Sequence, residues 1–119
     1  MERIYYIDHN KKTILLIDLS HSRPAELQPI VEQVKKIVAH QSPGTVLTLT
    51  NVTEMLFDTS TDHLLKDLAG HNRLFTKAEA VVGAVGILKV IFETIAFQKK
   101  NNQKSFADMK SAKDWLAGQ

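Results

Sequence analysis

The sequence predicts an α/β fold: one domain over residues 1–119, with a mixed sheet (an N-terminal antiparallel hairpin plus parallel strands) flanked by helices. Three observations predict it. Apolar runs of strand length alternate with apolar stripes of helical spacing along most of the chain, which is the pattern of strand–helix–strand units. Several strand-like runs, such as Ile14-Leu15-Leu16-Ile17 and Val81-Val82, are apolar without alternation, as in a sheet covered on both faces. The first two strand-like runs are separated only by His9-Asn10-Lys11-Lys12, too short a connection for a parallel pair, so the sheet opens with a hairpin.

Each element follows from local chemistry. Residues 2–8 and 13–19 are rich in Ile, Leu and Tyr and form the hairpin strands. Residues 20–24 turn the chain. Leu27, Ile30, Val31, Val34, Ile37 and Val38 then recur at spacings of three and four, so a helix buries one stripe. Pro29 lacks an N–H, so the regular part of this helix is expected to begin there, after a looser turn from Pro24. Ser42-Pro43-Gly44 ends the helix, and residues 45–52 mix Val and Leu with Thr, a strand with one wetter face. A loop over residues 53–59 leads to a short helix bearing Leu64, Leu65 and Leu68, with Gly70 as its expected end. Residues 77–84 form a buried-type strand, and Gly86 opens a long helix to Lys99. After a polar loop over residues 99–104, Phe106 marks a very short strand. Asp108 is placed to cap a last helix, in which Ala112, Trp115 and Leu116 face inward.

Composition narrows the function classes. In 119 residues there is no cysteine, which excludes disulfides, thiolate zinc sites and a Cys nucleophile. A hydrophobic fraction of 44% and a charged fraction of 24% are those of a soluble globular chain. A net charge of +2 is too small to imply nucleic acid. No basic segment feeds an apolar stretch near Met1, so no signal peptide is expected. The longest apolar stretches are broken by Gly, Lys89, Glu93 and Thr94 and are too short to span a bilayer, so a cytoplasmic location is expected.

Several groupings carry potential chemistry. Gly83-Ala84-Val85-Gly86 lies where a buried strand hands over to a helix. Helix-start amides beside glycines can hold an anion, but the segment lacks both the phosphate-loop ending and the three-glycine dinucleotide pattern. A tight turn with close strand–helix approach is the favoured reading. His63, Asp67 and His71 recur every four residues and could share a helical face as zinc ligands; with Gly70 ending the helix, His71 is expected to swing out of line. A solvated face is favoured, and no metal or cofactor is expected. His21, flanked by Ser20 and Ser22 near Asp18, has the residue types of a triad but no nucleophile elbow, so no enzymatic activity is expected.

Asp58-Thr59-Ser60-Thr61-Asp62 precedes the short helix, where hydroxyls and carboxylates cap; Thr59 and Asp62 have the spacing of a capping box. In the long helix, counted at about 100° per residue, Ile87, Leu88, Ile91, Phe92 and Ile95 fill the expected core arc. Val90 and Phe97 fall together outside that arc. They form either a second apolar ridge for a partner or lipid surface, or, for Phe97, packing under the following loop.

The succession Ala80-Val81-Val82-Gly83-Ala84-Val85-Gly86, an apolar helix, Phe106-x-Asp108 and Ala112-Lys113-Asp114-Trp115-Leu116 resembles the SpoIIAA-like branch of the STAS superfamily. STAS domains are named for sulfate transporters and anti-sigma-factor antagonists. The resemblance runs from the hairpin through Leu116 and implies a single STAS/SpoIIAA-like domain that binds rather than catalyses. In the wider superfamily, antagonists bind a partner kinase and are switched by phosphorylation of the second Ser of an Asp-Ser-Ser-Gly segment at a helix start. Matched by position, this chain offers Asp58-Thr59-Ser60-Thr61, so the resemblance implies Ser60 or Thr59 as the phospho-site. Thr61 replaces the glycine, Thr59 replaces the first Ser, and the preceding stretch is about two residues longer.

The expectation is a non-enzymatic binding or regulatory domain for a protein partner, with phosphorylation as its switch. The alternative is binding of an apolar ligand or membrane surface through helix 86–99. There the apolar ridge of Val90 and Phe97 ends beside Lys99, Lys100 and Lys104.

Overall fold

The computed structural model describes residues 2–119. Strands β1 (Ile4–His9) and β2 (Lys12–Asp18) pair antiparallel, with Ile4 opposite Ile17 and His9 opposite Lys12. Asn10 and Lys11 both take positive φ, of 48° and 67°, the backbone that lets a two-residue turn match the twist of its strands. Then follow helix α1 (Pro24–Ala39), β3 (Val46–Asn51), helix α2 (Thr59–Asn72), β4 (Thr76–Val82), helix α3 (Gly86–Lys99), β5 (Gln103–Phe106) and helix α4 (Met109–Ala117). The sheet order is β1-β2-β3-β4-β5, and every pairing after the hairpin is parallel. This is the mixed sheet flanked by helices that the sequence predicts.

The sheet separates two cores. On one face, Leu15, Ile17 and Val81 pack with Leu27, Val31, Val34 and Val38 of α1, Leu65 of α2, and Leu88, Phe92 and Ile95 of α3. On the other, Ile14, Leu16, Leu49, Ala80 and Val82 meet Ala112 and Leu116 of α4. Trp115 is half-buried, its ring 5.6 Å from that of Phe106. Because β2 and β4 are covered on both faces, their apolar residues need not alternate.

The structure corrects four local expectations. Helix α1 begins at Pro24, not Pro29: the Glu26 carboxylate accepts the Arg23 N–H at 2.9 Å and holds the entry, and Pro29 lies inside. Pro24 takes the first-turn position, where the missing N–H costs nothing. Helix α2 continues through Gly70 to Asn72, so His71 stays helical. At Gly70 the side of the helix is occupied by the Lys99 side chain, 3.9 Å from where a Cβ would stand. The capping box of α2 joins Asp58 to Thr61, not Thr59 to Asp62. In α3, Ile87 is 66% exposed and outside the core stripe: the buried residues are Leu88, Phe92, Ile95 and Ala96, an arc centred more than about 100° around the helix from Ile87.

Candidate functional site

Parallel strands β3 and β4 deliver their following loops to the same edge of the sheet. At that edge Gly83 has φ of +86°, and a Cβ there would overlap Thr53 Oγ1 and stand 3.0 Å from Thr53 N and Cα. The tight-turn reading of Gly83 therefore has a specific cause: the backbone after β4 presses on the backbone after β3. Gly86 has φ of +57° with open space around it, so its requirement is conformational alone.

The loop after β3 leads to Asp58, which caps α2. Its Oδ1 accepts the N–H groups of Ser60 and Thr61 at 2.9 and 3.1 Å, while Thr61 Oγ1 accepts the Asp58 N–H at 3.1 Å. Ser60 Oγ also donates to Asp58 Oδ1. That bond, then the Thr61 amide, holds the Asp58 carboxyl below the usual Asp range. Both Thr59 and Ser60 are exposed to solvent. Thr59 forms, with Phe57, Asp58, Asp62, His63 and Ile91, an open groove of about 510 Å³ between the start of α2 and α3. An apolar floor (Phe57, Ile91) thus meets an acidic rim at the position the sequence singles out as a phospho-site.

At the same edge of the sheet stand exposed side chains that sequence reasoning missed. Leu56 is 59% exposed and Val85 76%. Like Phe57 and Ile87, they sit on the loops after β3 and β4 or just beyond. Their sequence signal is faint: two adjacent apolar residues in an aperiodic loop, and a Val-Gly-Ile step at a helix start. Apolar side chains gathered at one edge are a surface a lone monomer does not require.

On the outer side of α3, Val90 is exposed and Phe97 is 87% exposed, so Phe97 does not pack under the following loop. Phe97 shares a groove of about 410 Å³ with Lys89, Glu93, Asn101 and Lys104, between α3 and the edge strand β5. Lys104 Nζ lies 5.6 Å from the Phe106 ring centre. Lys100 closes α3 in the left-handed conformation, and the Lys99 chain runs beside Gly70. Val90 and Phe97 thus lie on one helix, with the three lysines around its end.

The remaining groupings do not assemble. Asp67 is held by Lys35 Nζ at 2.8 Å, and His71 stacks on Phe75 and lies 2.9 Å from Asn72 Oδ1. Among the described residues, no cluster of three His, Asp or Glu side chains is arranged to hold a metal ion. Ser20 Oγ donates to Asp18 Oδ1, and Ser22 Oγ is buried, donating to the Leu19 carbonyl at 2.7 Å. Neither Ser engages the exposed His21.

A further acid lies inside the molecule. Glu79, 8% exposed on β4, is pushed up to about 7 by burial, partly offset by the Asn101 amide, which donates to its Oε2 at 3.2 Å. A lone Glu within an apolar strand run is the only trace of this in the sequence.

The whole architecture is similar to the crystal structure of an uncharacterised protein of the DUF3478 family from Shewanella loihica PV-4, described as having a SpoIIAA-like fold. The two superpose with a TM-score of 0.76 at 15% identity, over 95% of this chain and 91% of that one. No family model and no curated protein matches the chain. The likeness bears out the expected fold, which is SpoIIAA-like.

Proposed function

We propose, from the premise of a SpoIIAA-like fold, that this protein is a non-enzymatic binding domain that engages a protein partner at the sheet edge formed by the start of α2 and the start of α3. The observation that carries the reading is the groove floored by Phe57 and Ile91 and rimmed by Asp58, Thr59 and Asp62. Exposed Leu56, Val85 and Ile87 extend its apolar character. Apolar anchors inside a polar rim are the usual anatomy of a protein interface. A phosphate on Thr59 or Ser60 would add roughly −1.5 to −2 charges at the positive end of α2. On Ser60 it would also displace the hydroxyl bond to Asp58 and confront that carboxylate. On Thr59, which lines the groove, such a charge strengthens the acidic rim and acts on partner choice; on Ser60 it acts on the α2 cap as well.

The test is recovery of a stoichiometric partner from the protein's own host. Phe57→Ser with Ile87→Ser is expected to abolish recovery while leaving the melting temperature within a few degrees. Thr59→Asp or Ser60→Asp is expected to change the partner's affinity. Unchanged recovery with the double variant refutes the surface; unchanged affinity with both Asp variants refutes the switch.

A second reading has its own observation: Phe97 is 87% exposed, at the end of α3 beside basic Lys100 and Lys104. An apolar ridge with adjacent lysines suits an anionic membrane surface or an apolar ligand. Sedimentation with anionic but not neutral vesicles, lost in Val90→Ser with Phe97→Ser, would favour it. No co-sedimentation refutes it.

A further inference from the structure

Beneath α2 and α3 one row of the otherwise apolar sheet face is polar. Leu15, Thr48, Glu79 and Gln103 are cross-strand neighbours in one row over β2 to β5, and only the first is apolar. Thr48 and Glu79 are buried. Above this row lies a cavity of about 40 Å³, closed on the helix side by Leu65, Phe92 and Ile95 and with Asn72 at its polar end. That is room for about three atoms of water size.

The cavity's one charged lining residue, Glu79, has no counter-ion among the described residues. Gln103 Nε2 is committed to the Phe92 carbonyl at 3.2 Å, leaving its Oε1 as an acceptor. Asn101 Nδ2 is shared between Glu79 Oε2 and the Ala69 carbonyl, both at 3.2 Å. Asn101 Oδ1 is buried without a partner, but Asn101 lines the neighbouring groove of Phe97 and Lys104 and not this cavity. Among the described residues Glu79 has the Asn101 amide as its one hydrogen-bond donor and no cation beside it. A buried carboxylate without a cation is costly unless paired, and a cavity that presents it beside the Thr48, Thr50 and Gln103 oxygens is complementary to a positively charged donor.

We propose that this cavity is a binding site for a short primary amine in its protonated form, with the Glu79 carboxylate as counter-ion, Thr48 and Gln103 oxygens accepting its remaining protons, and Leu65 and Phe92 against its carbon end. The ammonium group supplies the cation that Glu79 lacks, and two or three heavy atoms fill the space. The site is separate from the partner groove, so either can fail alone. No other charged group answers Glu79 from the elements around it: β3 and β5 present Thr48, Thr50 and Gln103 to the cavity. On α2, His71 is turned to Asn72 Oδ1, and on α3, Lys99 lies along Gly70.

The experiment is a titration of the whole protein with ethylammonium chloride, read by amide chemical shifts at constant ionic strength, against ethanol, acetate and tetramethylammonium. Three heavy atoms at the limiting efficiency of very small ligands give a Kd of roughly 1 mM. Saturable shifts at Thr48, Glu79 and Leu68 are expected at pH 8 with ethylammonium alone. Affinity is expected to fall roughly tenfold at pH 6, where the carboxyl is mostly protonated. Glu79→Gln is expected to weaken binding at least tenfold at pH 8. Thr48→Val, which keeps the shape and removes one acceptor, is expected to weaken it several-fold and provides the test if the Glu79 variant does not fold. No shifts up to 20 mM, equal binding of ethanol, or undiminished binding by the folded variant would overturn the proposal.

Discussion

Gly83 and Thr53 are in backbone contact across the ends of β4 and β3, so close that a Cβ on Gly83 would overlap the Thr53 hydroxyl. The loops after these strands and the helix starts they lead into carry Phe57, Asp58 and Thr59 on one side and Val85 and Ile87 on the other. The contact therefore sets how the two halves of the proposed partner surface face each other. Gly83→Ala must strain a φ of +86° and displace backbone. It is expected to cost about 2–4 kcal/mol in urea unfolding, from strain and overlap together. At Gly86, with open space around it, the same change is expected to cost about 1–2 kcal/mol for the left-handed backbone alone. Equal losses at the two glycines would show that the Thr53 contact contributes nothing.

The cap of α2 links sequence to pH. Bonds from the Ser60 hydroxyl and the Thr61 and Ser60 amides lower the Asp58 pKa from 3.8. A depressed folded value means the carboxylate's contribution is present above about pH 4 and is lost as pH falls through the folded value. Asp58→Ala is expected to reduce the melting temperature at pH 7 and to fray the first turn of α2 in hydrogen exchange. The difference from the parent is expected to shrink in strong acid, where both lack the charge. A constant difference down to pH 2 would contradict this account.

Glu79 has the opposite sign. Its pKa rises from 4.5 to about 7 on folding, so the unfolded chain gives up this proton first as pH is raised. The Glu79 contribution to stability is therefore most favourable below about pH 4.5, falls between there and about pH 7, and then levels off, a loss of about 2–4 kcal/mol. Glu79→Gln keeps an acceptor for Asn101 and carries no charge. It is expected to flatten the profile and to be the more stable protein at pH 8 in urea titrations. A parent whose stability does not fall over this interval would contradict the burial argument.

Two phenylalanines on one helix separate core from surface. Phe92 is 7% exposed and Phe97 is 87% exposed. Phe92→Ala is expected to cost about 3–5 kcal/mol, because it removes buried area and leaves a cavity. Phe97→Ala is expected to change stability by less than about 0.5 kcal/mol, the usual range for an exposed side chain. A loss at Phe97 comparable to that at Phe92 would place Phe97 in the core and remove it from the interaction surface.

The sequence by itself determined the order and type of the elements, since these depend on neighbours along the chain. Ile14 to Ile17 without alternation announces a strand covered twice, Val31, Val34 and Val38 announce one helical stripe, and Asp108 announces a cap. The structure shows these residues buried, or capping, in those roles. Local chemistry also marked Asp58 to Asp62 as a helix start, while misjudging which pair closes the box. What only the tertiary structure decided is what each face meets. Ile87 has the spacing of a core residue, but the packed helix turns Leu88, Phe92, Ile95 and Ala96 inward and leaves Ile87 outside. Gly70 has the chemistry of a helix end, but α2 continues through it beside Lys99. Glu79 reads as one charge in a strand; only the alignment of β3, β4 and β5 sets it between Thr48 and Gln103 beneath two helices. Periodicity says which residues share a face, but burial and an acid's proton affinity depend on residues distant in the chain, which only the folded arrangement brings together.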